Sequence, residues 1–308
     1  MAAITVSVQA EPTDLDSWLD LARHLESSGF HALLAGDHPG SGASPWPALG
    51  SAAAVTGTLK LGTYVIQAGV REPAHVAADA ATLDLLAPGR VLLGVGAGHT
   101  PREWEDLGRQ RPAPAERAGR LAEFVEVVAR LLHGETVAHD GQHLTLRSAQ
   151  LDGLPTGHRV QLVVGGGHPE VLRAGARHAD VVGLSGLGRT LPDGHYHEVR
   201  WSDTDLRRQL QLVRDEAQRA GRAPAIEALV QVVAVTEDRA AVVEQISSDA
   251  PGASADDIAH TPFALVGTYE EMAAQMRAQA SAFGITRYVV REPAIPDIEH
   301  VLRLLHDE

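Results

Sequence analysis

An aspartate and a histidine stand side by side directly after a short apolar run. Residues 33–35 are Leu-Leu-Ala, and Gly36 separates them from Asp37 and His38. A carboxylate next to an imidazole provides the side-chain types needed for general acid–base chemistry near neutral pH. The alternative interpretation is an aspartate that caps a loop beside a surface histidine. Because the pair follows a predicted strand, both interpretations stay open at this point.

Two glycine-rich segments each follow another apolar run. They comprise Gly96, Ala97 and Gly98 after 91–95, and Gly165, Gly166 and Gly167 after 161–164. Glycines at the carboxyl end of a parallel strand let backbone N–H groups approach a phosphate or a flat ring closely. Two such segments in one chain indicate a shared cofactor site at the top of a β/α barrel.

Two further side chains could serve a substrate. His99 directly follows the first glycine-rich segment, so it could donate a proton or orient a substrate. Alternatively, it begins a helix and packs under Pro101 and Trp104. Trp46, in a proline-flanked segment, could form a wall of the substrate cavity or pack on the rim of the fold.

Composition excludes several other chemistries. The chain has no cysteine, so disulfides, thiolate nucleophiles and iron–sulfur clusters are excluded. Lys60 is the one lysine, which leaves almost no candidate for a Schiff base. Among 16 histidines, His195 with His197 and His139 with His143 are spaced as ligand pairs, but no carboxylate–histidine motif accompanies them. We predict no functional metal, and anionic groups must then be bound by arginine, backbone N–H groups and helix dipoles.

Apolar segments typical of strands alternate with helical segments along the sequence. The eight predicted strands lie at 4–9, 32–35, 61–66, 91–95, 161–164, 180–184, 227–235 and 288–291. The predicted helices lie at 15–27, 46–55, 76–86, 118–132, 170–177, 204–220, 239–247, 270–283 and 301–305. Strands that are buried on both faces and separated by helices are typical of a (β/α)₈ TIM barrel. An open, doubly wound sheet has the same periodicity and is the alternative.

Three segments do not fit a bare barrel and are predicted to be insertions, the first after the fourth helix and the other two after strands. Residues 135–146 alternate in polarity around Asp140 and Gly141, which predicts a hairpin. Residues 186–202 combine glycine, proline, histidine and tryptophan and could form a lid, and 250–262 is rich in small and polar residues. No linker or fixed-period repeat divides the chain, so we predict a single barrel domain over 1–308.

The charge and hydropathy of the chain limit its partners. Its 308 residues carry a formal net charge of −14, which argues against nucleic acid or an anionic membrane as a partner. No apolar stretch approaches the ~20 residues needed to span a bilayer, and the N-terminus lacks a charged signal region. We expect a cytoplasmic protein that acts on a small molecule.

Several motifs, in this order, resemble the luciferase-like monooxygenase family of flavin and deazaflavin oxidoreductases. The resemblance covers nearly the whole chain. It is carried by segments at 61–66 (LGTYVI), 71–73 (REP), 80–86 (AATLDLL), 89–98 (GRVLLGVGAG), 116–121 (ERAGRL), 163–167 (VVGGG), 176–180 (ARHAD) and 265–272 (LVGTYEEM). Within the family, the Asp-His pair at 37–38 is similar to that of the actinobacterial branch that uses the deazaflavin coenzyme F420.

The resemblance implies roles for particular residues. His38 would exchange a proton near the reactive carbon of F420, with His99 as the second candidate, although some relatives carry a glutamate at that position. Asp37 would help to bind the cofactor ring, and Trp46 would border the substrate, although its spacing from the Asp-His pair is longer than usual. A cis peptide, common at the end of the third strand in the family, would shape the cofactor face. The other implied cofactor contacts are Tyr64, Val65, Gly96, Ala97, Gly98, Gly165, Gly166, Gly167, Ser185 and Gly186.

The resemblance therefore predicts an F420-dependent oxidoreductase that transfers a hydride between the deazaflavin and a small organic substrate. Reduction of a C=C or C=N bond and oxidation of an alcohol are both consistent with the motifs. Relatives that use FMN share most of the glycine motifs, so an FMN-dependent monooxygenase is the first alternative, and a non-catalytic flavin-binding barrel is the second. Relatives pair through barrel helices, so we expect a homodimer.

Overall fold

The structure is a computed structural model that describes residues 3–157, 160–190, 197–250 and 252–306. Its strands, in chain order, are β1 (Thr5–Ala10), β2 (Ala32–Ala35), β3 (Lys60–Gln67), β4 (Val91–Gly96), β5 (Val137–Asp140), β6 (Thr145–Ala149), β7 (Gln161–Gly165), β8 (Val181–Leu184), β9 (Leu187–Thr190), β10 (His197–Val199), β11 (Ala225–Leu229), β12 (Val232–Val235), β13 (Ala264–Gly267) and β14 (Ile285–Arg291). Eight of them close into a parallel barrel in the order β1-β14-β11-β8-β7-β4-β3-β2. This confirms the (β/α)₈ barrel and excludes the open sheet.

Helices connect the barrel strands. They are α1 (Leu15–Ser27), α2 (Pro45–Ala53), α3 (Pro73–Leu86), α4 (Pro101–Glu105), α5 (Pro114–Leu132), α6 (Pro169–His178), α7 (Asp203–Arg219), α8 (Arg239–Asp249), α9 (Ala255–His260), α10 (Tyr269–Phe283) and α11 (Ile295–His306). Five of these helices begin with a proline. Proline suits the first turn because N–H groups there have no acceptor within the helix, so the N–H that proline lacks costs no hydrogen bond. These prolines fix where several helices begin after the strand ends.

The barrel strands are apolar on both faces because each face is covered. All six residues of β4 are buried. The inward-facing side chains pack together inside the barrel and comprise Ala32, Leu34, Tyr64, Leu92, Val163, Val181, Leu229 and Val289. The outward-facing side chains pack against the helices in a larger cluster. Burial on both faces explains why the sequence shows continuous apolar runs rather than alternation.

The predicted strand at 227–235 is wrong in one respect, since it forms two strands. β11 belongs to the barrel, whereas β12 pairs in parallel with β13 outside it. Between them, the N–H of Val230 donates to the carbonyl of Val289, and the N–H of Gln231 donates to that of Phe263. The chain thus changes sheets within two residues. Neither glycine nor proline marks the change, so the apolar pattern predicted one strand.

Two insertions form hairpins. β5 and β6 pair antiparallel, with Asp140 opposite Thr145, which confirms the hairpin predicted around Asp140 and Gly141. β9 and β10 pair antiparallel within the segment 186–202, of which 191–196 lie outside the described residues. Every helix in the described ranges is too short or too polar to cross a bilayer.

Candidate functional site

The carboxyl ends of the barrel strands enclose a cavity of about 890 Å³. Ligand pockets typically measure roughly 300–1,000 Å³, so the cavity can hold a cofactor-sized molecule. Both glycine-rich segments border it, together with His38 after β2 and His99 after β4. The structure therefore brings together the groups that the sequence analysis expected at one end of a barrel.

The two glycine-rich segments lie side by side. β4 and β7 are neighbouring parallel strands, with Val95 opposite Val164. A Cβ atom built on Gly96 would lie 3.8 Å from the carbonyl oxygen of Gly165. The two segments therefore converge on one part of the cavity wall.

In the first glycine-rich segment, neighbouring side chains leave no room for a residue larger than glycine at Gly96 and Gly98. A Cβ atom on Gly96 would lie only 2.5 Å from Cγ2 of Val65. Gly98 has a φ of +74°, and a Cβ atom there would collide with the side chain of Gln67. Packing and backbone conformation alone explain why these positions lack a side chain.

In the second segment, two glycines stand where the surrounding protein leaves room for a side chain. The nearest atoms to a Cβ atom built on Gly165 or Gly167 lie 3.5 Å away, which is ordinary van der Waals contact. Both residues border the cavity, so a side chain at either position fits the protein and would take up cavity volume. Gly166 differs, because its φ of +149° disfavours any other residue. This part of the wall is a backbone surface suited to a flat ring or a phosphate.

The peptide bond between Tyr64 and Val65 is cis, which confirms the expectation drawn from the family resemblance. The pairing between β3 and β4 shifts register between Thr63 and Ile66, across this bond. Tyr64 and Val65 both line the cavity, and Val65 packs into the space beside Gly96. The backbone therefore reaches the cavity at the point that the resemblance implied.

His38 is paired with a buried glutamate on α4. His38 Nδ1 lies 2.7 Å from Oε1 of Glu103, whose side chain is 2% exposed. The hydrogen bond to Glu103 raises the pKa of His38 most strongly; burial opposes the rise, and the negative charges of Glu103, Glu11 and Asp37 add to it. In the imidazolium form, Nδ1–H donates to Glu103, which leaves Nε2 as the atom that can exchange a proton with a ligand.

The Asp37 carboxylate is engaged by protein groups. Arg71 donates to it from Nη2 at 2.6 Å and from Nε at 3.1 Å, and the backbone N–H of Gln67 donates at 3.1 Å. Only 3% of Asp37 is exposed, although the residue reaches the cavity wall. Its bonds tie the loop after β2 to the end of β3, and so fix the backbone next to His38. The predicted contact of Asp37 with a cofactor ring stays a prediction.

Three histidine rings line the cavity in succession. The ring centroid of His99 lies 5.8 Å from that of His38, and the centroid of His197 lies 4.5 Å from that of His99; both contacts are edge-to-face. His197 begins β10, so the β9–β10 hairpin contributes to the cavity wall. This arrangement places the ring of His99 next to that of His38 in the cavity wall, and its predicted role stays a prediction.

Two arginines line the cavity beside the N-terminus of α5. Among the residues that the structure describes, no carboxylate forms an ion pair with Arg111 or Arg117, and the Nε atom of each is buried without a hydrogen-bond partner. Burial, together with the positive charge of Arg111, lowers the pKa of Arg117 to about 10. Nη1 of Arg117 donates to the carbonyl of Pro112 at 2.6 Å, which orients the guanidinium. Two adjacent cations without a counter-charge suit an anionic ligand group.

Some predicted contacts lie elsewhere. Trp46 packs against the hydrophobic core at the start of α2 and is not among the described residues that line the cavity. Gly186 does not line it either; its φ is +66°, and a Cβ atom would lie 2.7 Å from the Phe263 ring, so the turn and its packing require glycine. Ser185 does line the cavity, and its hydroxyl accepts a hydrogen bond from the N–H of Leu187. The structure thus does not place Trp46 and Gly186 where they were expected.

The histidine pairs noted in the sequence do not form a metal centre within the described ranges. No group of three or more ligand-type side chains that could hold an ion occurs there. His195 lies outside the described residues. His139 is instead 3.3 Å from Glu123, whose carboxylate also accepts from the backbone N–H of His143 in the β5–β6 turn.

Several residues that line the cavity or contact His38 were not predicted from the sequence. Glu103 lies 65 positions from His38, in a short helix whose sequence resembles an ordinary surface turn. Arg111 stands in an irregular segment, and Arg117 was noted only as part of a family motif. Only the two arginines could have been predicted from neighbouring residues. They stand close to the proline that begins α5, and cations near the N-terminus of a helix favour anion binding. Glu103 had no such signal.

Together, fold and cavity define the class of this protein as a β/α barrel with a cavity at the carboxyl ends of its strands. A family model described as luciferase-like monooxygenase matches residues 1–287. The chain therefore belongs to the luciferase-like monooxygenase family.

Curated relatives include both F420-dependent enzymes and monooxygenases. The chain is 36% identical over 196 residues to an F420-dependent glucose-6-phosphate dehydrogenase of Beutenbergia cavernae, which covers 59% of this chain and 56% of that protein. It is 36% identical over 160 residues to a 4-hydroxyprotoasukamycin monooxygenase of Streptomyces nodosus subsp. asukaensis, which covers 47% of this chain and 42% of that protein. The chain thus spans about half the length of these relatives.

Solved structures share the fold along nearly the whole chain. An F420-dependent secondary alcohol dehydrogenase in complex with an F420-acetone adduct superposes with a TM-score of 0.75 at 20% identity, covering 99% of this chain and 100% of that one. A long-chain alkane monooxygenase gives a TM-score of 0.75 at 18% identity, covering 100% of this chain and 92% of that one. At these identities, the likeness concerns the fold.

Proposed function

We propose that the protein is an F420-dependent oxidoreductase acting on a small organic molecule. The observation that carries the proposal is that the His38–Glu103 pair opens into the same cavity as the two glycine-rich segments. A proton-exchanging imidazole and a backbone surface for a flat ring therefore share one space. The F420-dependent relatives at 30–36% identity support this choice of cofactor.

The residues that would hold the cofactor fit its chemistry. Gly165 and Gly167 leave backbone surface where a side chain would intrude, and the cis peptide at Tyr64 and Val65 borders the same space. Arg111 and Arg117 provide two cations for an anionic arm. When bound there, F420 would supply or accept a hydride at a ring carbon.

His38 would manage the proton that accompanies this chemistry. Glu103 fixes the ring through Nδ1 and stabilises the imidazolium, so that Nε2 can donate a proton to a substrate oxygen or carbon during reduction. In the oxidative direction, neutral His38 accepts the proton at Nε2. Glu103 and Asp37 are positioning residues here, because each acts through a neighbour.

Cofactor titration tests the proposal. Purified protein is titrated with F420 and with FMN, and turnover is then measured with each cofactor with and without oxygen. We expect tighter binding of F420 and oxygen-independent turnover. Tight FMN binding with oxygen consumption coupled to product would instead assign an FMN-dependent monooxygenase. Tight binding without turnover of any tested acceptor would assign a non-catalytic flavin-binding barrel.

A further inference from the structure

Two cations that line the cavity have no role in the proposed reaction: Arg200, which follows β10, and Arg291, at the end of a barrel strand. Arg291 is the last residue of β14 and lines the cavity. Its guanidinium lies 3.5 Å from the carbonyl oxygen of Val230 and donates to Oε1 of Gln231 at 3.2 Å. Both partners are neutral, so they orient the side chain without neutralising its charge. Among the described residues, no carboxylate forms an ion pair with it.

The position of Arg291 separates it from the proposed cofactor surface. Around the eight-stranded ring, β14 lies four strands from β4 in either direction, so the two strands face each other across the barrel. Gly96 to Gly98, Arg111 and Arg117 follow β4, and the second glycine-rich segment follows the adjacent β7. An anion bound at Arg291 would therefore lie across the cavity from those groups.

Arg291 is also close to the proton-exchanging side. It is paired in register with Gln9 of β1, and β1 pairs with β2, which leads to His38. Nε2 of Gln9 donates to the carbonyl of Tyr64 at 3.0 Å. This hydrogen bond links β1 to β3, which lies on the other side of β2. A molecule that reaches His38 can thus extend a charged group towards β14.

The charge balance of the cavity favours an anion. Asp37 is neutralised by Arg71, and Glu103 is paired with His38. Glu11 is the one other carboxylate among the described lining residues, and it lies near Gly36 and His38 rather than in ion-pair contact with Arg291. In a chain of net charge −14, an unneutralised guanidinium facing a cavity is an attractive site for a carboxylate or phosphate.

We infer that Arg291 is a specificity-determining residue that binds an anionic group of the substrate, a carboxylate or a phosphate ester. This inference rests on the proposed function and narrows it to charged substrates. Arginine suits this task because its planar fork binds either group through two parallel hydrogen bonds.

Matched substrates test the inference by turnover. Glucose 6-phosphate is compared with glucose, and 3-hydroxybutyrate with its methyl ester, using wild type, Arg291→Gln, Arg291→Lys and Arg214→Gln. Arg214 donates to the carbonyl of Phe283 outside the cavity lining and is the control. We expect a charged substrate to be preferred, and Arg291→Gln to raise its KM about 10- to 100-fold with kcat nearly unchanged. The lysine variant should recover part of the loss, and Arg214→Gln should match wild type.

A binding measurement covers the case in which neither substrate is the right one. Thermal-shift titrations with inorganic phosphate and with acetate are run on the F420-loaded protein and on the protein alone. A stabilisation that Arg291→Gln abolishes and Arg214→Gln retains supports the inference, and the anion that stabilises more distinguishes the phosphate from the carboxylate class. Equal responses of wild type and Arg291→Gln in both assays overturn it. F420 affinity is measured in the same series. If wild type does not bind F420, the proposed function is contradicted. If Arg291→Gln binds F420 as wild type does and its anion response is unchanged, only the substrate inference fails.

Discussion

Two corners of the cavity are built by opposite physical means. In the acid–base corner (His38, Glu103 and Asp37), every charge has a partner: Glu103 holds His38, and Arg71 holds Asp37. In the proposed cofactor corner (Gly165, Gly167, Arg111 and Arg117), two positions lack a side chain, and the two arginines form no ion pair with any carboxylate that the structure describes. In the proposed function, paired charges would preorganise a proton donor, whereas open backbone and the two arginines would provide space and charge for a ligand. The contrast implies that turnover and cofactor affinity can be impaired separately.

Replacing the imidazole should cause the largest effect on turnover. His38→Ala removes the group that exchanges the proton but leaves the cofactor corner intact. We expect turnover to fall by about 100-fold or more, with the F420 dissociation constant within roughly threefold of wild type. Steady-state kinetics and fluorescence titration measure the two quantities. Unchanged turnover would remove His38 from the mechanism, and a matching loss of affinity would break the separation between the corners.

Replacing the glutamate should shift the pH dependence of turnover. Because Glu103 raises the pKa of His38, Glu103→Gln should lower that pKa and move the corresponding limb of the kcat/KM profile to lower pH, whichever the direction of the reaction. We also expect an approximately tenfold lower kcat. The same pair contributes stability that is complete below the ordinary histidine pKa and is lost as pH rises through the raised value. A kcat/KM profile whose limbs lie at the same pH in Glu103→Gln as in wild type contradicts this role.

The two glycine-rich segments should respond differently to the same small substitution. Gly98→Ala places a side chain at positive φ against Gln67, so we expect a loss of about 2 kcal/mol in the free energy of unfolding. Gly167→Ala should change that free energy by less than about 0.5 kcal/mol but weaken F420 binding about three- to tenfold. Chemical denaturation and titration of both variants measure this. If Gly98→Ala and Gly167→Ala lowered the free energy of unfolding equally, both segments would need glycine for packing, which contradicts the difference argued for them.

Local sequence features account for much of the fold and for part of the site. The barrel was predictable because strands buried on both faces give continuous apolar runs, and prolines and glycines separate them from the helices. His38 and the two glycine-rich segments could be located because each directly follows a strand, and parallel strands bring their carboxyl ends together. The split between β11 and β12 was not predictable, since only hydrogen bonds to distant strands make Val230 and Gln231 change sheets.

Pairings between distant residues could not be predicted. Glu103 reaches His38 only because α4, which follows β4, lies beside the loop after β2, and Arg71 reaches Asp37 across 34 positions. Trp46 lies close in sequence to the Asp-His pair but packs against the hydrophobic core at the start of α2, so its predicted contact with a substrate stays a prediction. The residues next to a tryptophan in sequence are the same in kind whether its side chain faces the cavity or the core. Tertiary packing decides between the two.

The measurement that tests the central claim most directly compares F420 with the same deazaflavin lacking its phosphate arm. Dissociation constants are determined for both ligands with wild type, the double variant Arg111→Gln/Arg117→Gln, and the control Arg214→Gln. The structure predicts that wild type and control prefer the phosphate-bearing ligand by about 100-fold, and that the double variant loses most of this preference while still binding the phosphate-free ligand. A preference that survives in the double variant would contradict the assignment of this corner to the cofactor.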